Sequence, residues 1–401
     1  MKKHLLLFTT FCFLLVFNLT IKAQWTQQTS GTTNILYSVC FTAVDTGYAV
    51  GDLGTIRNTK NGGINWTTQT STATGFLHSV YFIDADTGYA VGQSGKIIKT
   101  KDRGANWTTL TSGTTTNFLS VFFVGASTGY AVGWSGTVFK TINYGATWIS
   151  QGTGINTLVN LTSVYFTSTD TGYVTGLSGY IYKTTNGGSN WSQQGNGASG
   201  SLNFNSVQFI SADTGFIVGE NSSFLKTIDG GTNWTSTYGG GIVLRSVYFL
   251  DANTGYAAGD YAGTGIIQKT TNGGTNWTVQ FSGGTTQYSL CFPNSTIGYS
   301  VGSAGAIRKT TITTEITNDK DSSFIAIFPN PNNGIFSVSL KNTDTKAEIE
   351  IYNVLGEKIY STLNFNHQNE NRIDLSNFSR GIYMAKVHCG MKFYTKKIVV
   401  Q

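Results

Sequence analysis

Proline is nearly absent, at three residues in 401, and cysteine is scarce at four. Charge is scarce too. Asp, Glu, Lys and Arg make up 11% of the chain, against roughly 25% in an average soluble protein. Cys12 lies in an apolar N-terminal run, which leaves Cys40, Cys291 and Cys389. An odd, widely spaced set is no disulfide framework, so stability must come from packing. The formal net charge of +6 offers no nucleic-acid surface. Lys2, Lys3 and Lys22 supply three units, and residues 24–317 carry 13 basic against 12 acidic side chains. Phosphate backbones call for a concentrated basic patch. The four histidines, His4, His78, His367 and His388, have no metal-ligand spacing, and nothing in the chain calls for a cofactor. Each of the last three reads as a surface or loop histidine.

What is present is glycine, at 49 residues, and aromatic residues, at 13%. That balance suits an all-β chain of short strands and tight turns. The N-terminus reads "MKKH", then "LLLFTTFCFLLVF", then "IKA" before Gln24. This is the pattern of a secretory signal over 1–23, too short for a confident membrane helix. No other stretch could span a membrane, so an exported protein without a stable membrane span is expected. Residues before Cys12 do not fit a lipid-anchored signal.

The body of the chain repeats. Trp25, Trp66, Trp107, Trp148, Trp191, Trp234 and Trp277 recur every 41 or 43 residues. A second marker keeps step: "DTGYAVG" at 45–51 and 86–92, then six-of-seven or looser variants at 127–133, 170–176, 213–219, 253–259 and 296–302. Seven units of about 42 residues, each with four short strands, predict a seven-bladed β-propeller over 24–311. In the second unit the strands are "HSVYFID", "YAVG", "KIIKT" and "WTTLTS".

The turn before each Trp, "KTTNGGTNW" in the sixth unit, reads as a structural staple. Asn272 is expected to bond its own backbone two residues on, and Gly274 to supply positive φ. The Trp should wedge between blades. The last unit lacks this turn, whereas Trp25 stands alone at the start. Residues 25–31 are therefore expected to close the ring against the strand around 305–311, removing both open edges.

These turns resemble the Asp-box repeat of bacterial neuraminidases, with Asp102 and Asp229 at the acidic position and Asn61, Asn143, Asn186 and Asn272 replacing it. The combined "DTGYAVG…KTTNGGTNW" pattern resembles propellers of the photosystem II assembly-factor type. Residues 323–401 differ in composition, and 312–322 read as a polar linker. "IFPNPNNGIFSVSL", "IEIYNVLGEKIY", "IDLSNFSRGIYMAKV" and "KFYTKKIVVQ" follow in order to the end. This resembles the type IX secretion C-terminal sorting domain. The resemblance implies export, contact with that secretion machinery, and a cell-surface or secreted location. Read directly, the segment suits a small Ig-like β-sandwich, with Pro329 and Pro331 keeping its first strand at an edge or bulge.

Chemistry is hard to find. A sialidase reading needs three converging arginines. The propeller has four, Arg57, Arg103, Arg245 and Arg308, of which only Arg57 and Arg308 share a repeat column. Asp45, Asp86, Asp170 and Asp213 sit in the repeated turn and read as turn formers. No catalytic residue is assigned. A non-enzymatic propeller recognising a protein or glycan is the leading expectation. An Asp-box glycan hydrolase and an assembly scaffold are the alternatives. Cys40 and Cys291 share a column and should not face each other. The lysines before the turns read as a solvated ring.

Repeats also point to where a ligand would sit. The turns after strands one and three share one rim and hardly change. The turn after strand two and the loop to the next blade share the other rim and vary, which marks a binding surface. On that rim lie Asp52, Gln93, Trp134, Leu177, Glu220, Asp260 and Ser303, with Phe76, His78, Phe118, Phe204, Tyr238 and Arg245 in the loops. Of these, Trp134, Asp52, Gln93, Glu220, Asp260 and Arg245 are the candidate ligand-binding residues. Trp134 stands out as the one Trp outside the repeat register.

Overall fold

In the computed structural model the described residues are 25–195, 197, 202–311, 325–340, 347–353, 357–365, 371–389 and 392–401. The expected signal (1–23) and linker (312–322) lie outside them. The chain divides at Ile312 and Thr313 into two compact units.

The first unit contains seven four-stranded antiparallel sheets. Each runs outward in chain order, as in the second blade: Leu77–Phe82, Gly88–Gly92, Ile97–Thr100 and Thr108–Leu110. The seventh is closed from both ends of the unit. Thr26, Gln27 and Gln28 pair antiparallel with Lys309, Arg308 and Ile307. The expected closure is thereby met.

The core is not one cluster but seven, each wedged between neighbouring blades. This explains why strand two is buried along its whole length, as in Gly47–Gly51, instead of alternating. Trp66, for example, meets Phe41 of its own blade edge-on at 6.1 Å. Phe41 in turn stacks at 3.9 Å on Tyr299 of the seventh blade.

The staple turn works differently from the sequence expectation. Its anchor is the threonine preceding the Asn or Asp. Thr184, 1% exposed, donates to Asn186 Oδ1 at 3.0 Å and accepts the Gly188 N–H at 2.9 Å. Asn186 Oδ1 accepts the N–H four residues on, from Asn190, not two. The same bonds recur in all six turns. Gly188 has φ +85°, and a Cβ there would lie 3.1 Å from the Tyr130 ring. Conformation and crowding both select glycine.

The lysine column is not a solvated ring. Lys140 Nζ and Tyr130 Oη both donate to the Gly187 carbonyl of the next blade, at 2.8 and 2.9 Å. Lys183 with Tyr173 does the same to Gly230, and Lys309 with Tyr299 to Gly62 across the closure. Between blades six and seven no such turn exists, and the buried Tyr256 hydroxyl has no partner. Nearer the axis, a serine Oγ accepts an N–H from the next blade at all seven junctions, as Ser79 Oγ does from the Val121 N–H at 3.2 Å.

Among the described residues the second unit is a two-sheet sandwich of seven strands. Ile325–Phe328, Ile335–Leu340 and Asn371–Asp374 form one sheet. Lys358–Phe365, Ala347–Tyr352, Gly381–Cys389 and Lys392–Val400 form the other. Phe336, Val338, Ile349, Ile351, Val387 and Ile398 fill the space between them. The first strand ends at Phe328, before Pro329, and lies at a sheet edge.

Candidate functional site

Four blades build the variable rim from the same local device. After strand two the chain makes a one-turn 3-10 bend, such as Asp52–Gly54, whose middle residue has positive φ. The bend is pinned to the incoming loop: the Asp52 N–H donates to Ile35 at 2.9 Å, and Gly54 to Gly75 at 2.7 Å. Gly51, just before the bend, cannot be replaced, because a Cβ would lie 1.8 Å from the Ile35 carbonyl oxygen. Backbone bonds thus hold the bend, with an asparagine side chain of the next loop added on three blades, as where Asn203 Oδ1 accepts the Ser178 N–H at 2.8 Å. The side chains of the bend itself are left to vary.

At the inner edge of this rim lies the strand-one residue of each blade that precedes Ser38, Ser79 and their equivalents. Going round the ring these are Tyr37, His78, Leu119, Thr162, Asn205, Arg245 and Tyr288. Four blades bring theirs together. Tyr37 lies 5.1 Å from the His78 ring, 6.4 Å from Phe76 and 5.2 Å from Tyr288, between ring centres. The Arg245 guanidinium sits 4.9 Å from the Tyr288 centroid. Its Nε donates to Asp260 at 3.0 Å, in an ion pair whose carboxylate is largely buried. Asp260 also accepts the Gly263 N–H. It occupies a longer hairpin, Gly255–Tyr261 with Thr264–Thr270, in place of the 3-10 bend.

Asp52 joins this arc through Tyr37. Burial first, then the hydrogen bond to the Asp52 carboxylate, pushes the Tyr37 phenol well above its ordinary range. Burial holds His78 below the usual histidine range, offset in part by Asp52. The Oδ1 atom of Asp52 is buried without a hydrogen-bond partner. Gln93 borders the arc, its Oε1 accepting the Phe76 N–H at 3.4 Å.

Three of the photosystem-type features are now in view: the repeat, the ring and its closure. A family described as photosynthesis system II assembly factor YCF48 matches residues 17–115, 106–197 and 145–334, most of the chain. This chain belongs to that family. Residues 326–401 match a secretion system C-terminal sorting domain. Such a type IX tail indicates export to the cell surface or medium and contact with the secretion machinery. Among curated proteins no match was found.

Solved structures agree on the fold. YCF48 bound to D1 peptide aligns with TM-score 0.61 at 17% identity, covering 72% of this chain and 97% of that one. YCF48 from Cyanidioschyzon merolae aligns with TM-score 0.60 at 20% identity, covering 73% and 100%. The WD40 propeller of Doa1 aligns with TM-score 0.60 at 14% identity, covering 73% and 97%. At such identities the likeness concerns the fold alone.

Within this family member, the candidate residues fall into two sets. Asp52, Gln93, Arg245 and Asp260 meet in the arc. Trp134 and Glu220 do not. Trp134 stands on blade three with 47% of its surface exposed. Its backbone N–H donates to Asn117 and its carbonyl accepts from Thr137, so the turn holds the ring outward. Glu220 accepts from the Asn203 side chain at 2.9 Å and braces its own bend.

Some loop placements need correction. Phe118 and Phe204 are fully buried, because they open strand one instead of ending the loop. His78 is half-buried in a strand, not on a surface loop. Tyr37 and Tyr288 were missed. The signal was there: within "YSV", "HSV" and "YSL", the position before the serine varies while its neighbours repeat.

The four propeller arginines do not converge. Arg57 donates to the Ser30 carbonyl at 2.6 Å and to Thr68. Arg103 pairs with Asp86 at 2.6 Å, Arg245 with Asp260, and Arg308 lies 3.9 Å over Phe281. Cys40 and Cys291 are free, and burial raises both thiols. Among the described residues no His, Cys, Asp and Glu group could hold a metal ion. No helix among them is long and apolar enough to cross a membrane.

Proposed function

We propose that this protein is a non-enzymatic binding propeller of the cell surface or medium, which takes a segment of another exported protein on its variable rim. The observation that carries this is the arc at the channel mouth, where Phe76, His78, Tyr37, Tyr288 and Arg245 run continuously across four blades. Aromatic and arginine side chains on one concave edge are the usual anchors of protein recognition. The exposed Trp134 extends the surface. A structure of YCF48 holds a D1 peptide, which makes a polypeptide the favoured class for this relative. Each arginine is engaged with a separate partner, which lends nothing to a sialidase-like hydrolase.

The test is binding of the purified protein to peptide and glycan arrays, alongside Trp134→Ala and Tyr37→Ala. Saturable peptide binding lost in either variant is expected. Glycan binding lost in the same variants would make the protein a lectin on the same rim. Turnover of a sugar substrate would overturn the non-enzymatic reading.

A further inference from the structure

We propose that the cluster of Tyr37, Phe76, His78, Tyr288 and Asp52 takes a cationic side chain, the ammonium or guanidinium of a lysine or arginine on the bound polypeptide. The proposal rests on the variable rim being the binding surface and names the chemistry that one part of it selects.

Three observations converge. First, the rings come from three blades and surround Tyr37 at 5.1–6.4 Å. Aromatic faces attract cations through the ring quadrupole. One ring, Tyr288, already carries the Arg245 guanidinium at 4.9 Å. Second, the Asp52 carboxylate sits beside these rings with a buried oxygen lacking any partner. It belongs to none of the three ion pairs among the described residues. With Tyr37 engaging the carboxylate, the buried Oδ1 is the atom left without a partner, and a buried acceptor of this kind is costly until a donor reaches it. Third, the neighbourhood lacks a cation of its own to spare. Arg245 is held by Asp260, and His78, its basicity lowered by burial, offers a ring and not a charge. Phe76, 39% exposed, is the most exposed ring of the cluster.

The probes are the peptide Gly-Gly-Lys-Gly-Gly and its Nε-acetylated form, followed by saturation-transfer NMR from the full protein. A single cation–π contact with a carboxylate is worth roughly 0.5–2 kcal/mol, or about 2- to 30-fold in affinity. The lysine peptide is expected to bind that much more tightly than the acetylated one. Asp52→Asn and Tyr288→Leu, each checked for an unchanged melting temperature, are expected to abolish the preference. Equal binding of the two peptides overturns the cation site. If array ligands still bind in a Trp134-dependent manner, the rim reading survives that result. If no array ligand binds either, both readings fail together.

Discussion

The two rims of the propeller use their turns in opposite ways. On one rim all six staple turns are tied by side chains. Thr184 holds both Asn186 and Gly188, while Lys140 and Tyr130 grip the same turn from the blade before. Each tie uses a particular side chain, so the sequence there repeats. On the other rim the ties common to the bends are backbone to backbone, as from Asp52 to Ile35 and Gly54 to Gly75, and side chains such as Asn117, Asn160 and Asn203 are added on some blades only. A backbone bond does not restrict the side chain above it. Freedom to vary thus follows from which atoms make the bond.

Breaking the tied rim should cost most. Trp148→Ala is expected to destabilise the propeller by about 3–5 kcal/mol, measured by denaturant unfolding. Trp134→Ala, on the free rim, should change stability by less than about 0.5 kcal/mol. Equal losses would erase the contrast. A smaller effect is expected for Thr184→Val, which keeps the shape but removes the hydroxyl that serves two partners. It should cost about 1–3 kcal/mol by the same measurement.

The smallest effect sharpens the comparison within the tied rim. Hydrogen bonds from Asn233 and Thr227 hold the Asp229 carboxyl down to about 2. Its folded value is below its unfolded one. Its stabilising share is therefore present above the unfolded range of about 4 and lost as pH falls through about 2. Asp229→Asn keeps the acceptor that four sister turns already use. Near-neutral behaviour at pH 7 is expected, with a shallower loss of melting temperature between pH 4 and 2 than in the parent.

Much of the fold was legible. The Trp period counted the blades, and the stranded Trp25 announced the closure seen between Gln27 and Arg308. The two rims were also separable, because antiparallel strands put alternate turns at opposite ends. The misreadings share one cause. The partner of Lys140 is a carbonyl 47 residues ahead, and no local pattern reveals an acceptor on the next blade. Histidine at position 78 looked like loop for the same reason, since the ring it packs against, Tyr37, lies on the blade before.

By itself the sequence determined the period, the strand order within a blade and the two classes of turn, because these depend on residues within about one repeat of each other. It also marked the C-terminal sandwich through alternation, visible where Tyr383, Ala385 and Val387 point inward. Only the tertiary structure decided the site. Tyr37, Asp52, Arg245, Asp260 and Tyr288 are up to 251 residues apart in the chain, and closing the ring brings blades six, seven, one and two side by side. A period records what every blade must do to pack. What a few unlike blades can do together depends on which of them become neighbours, and that is set by the closure.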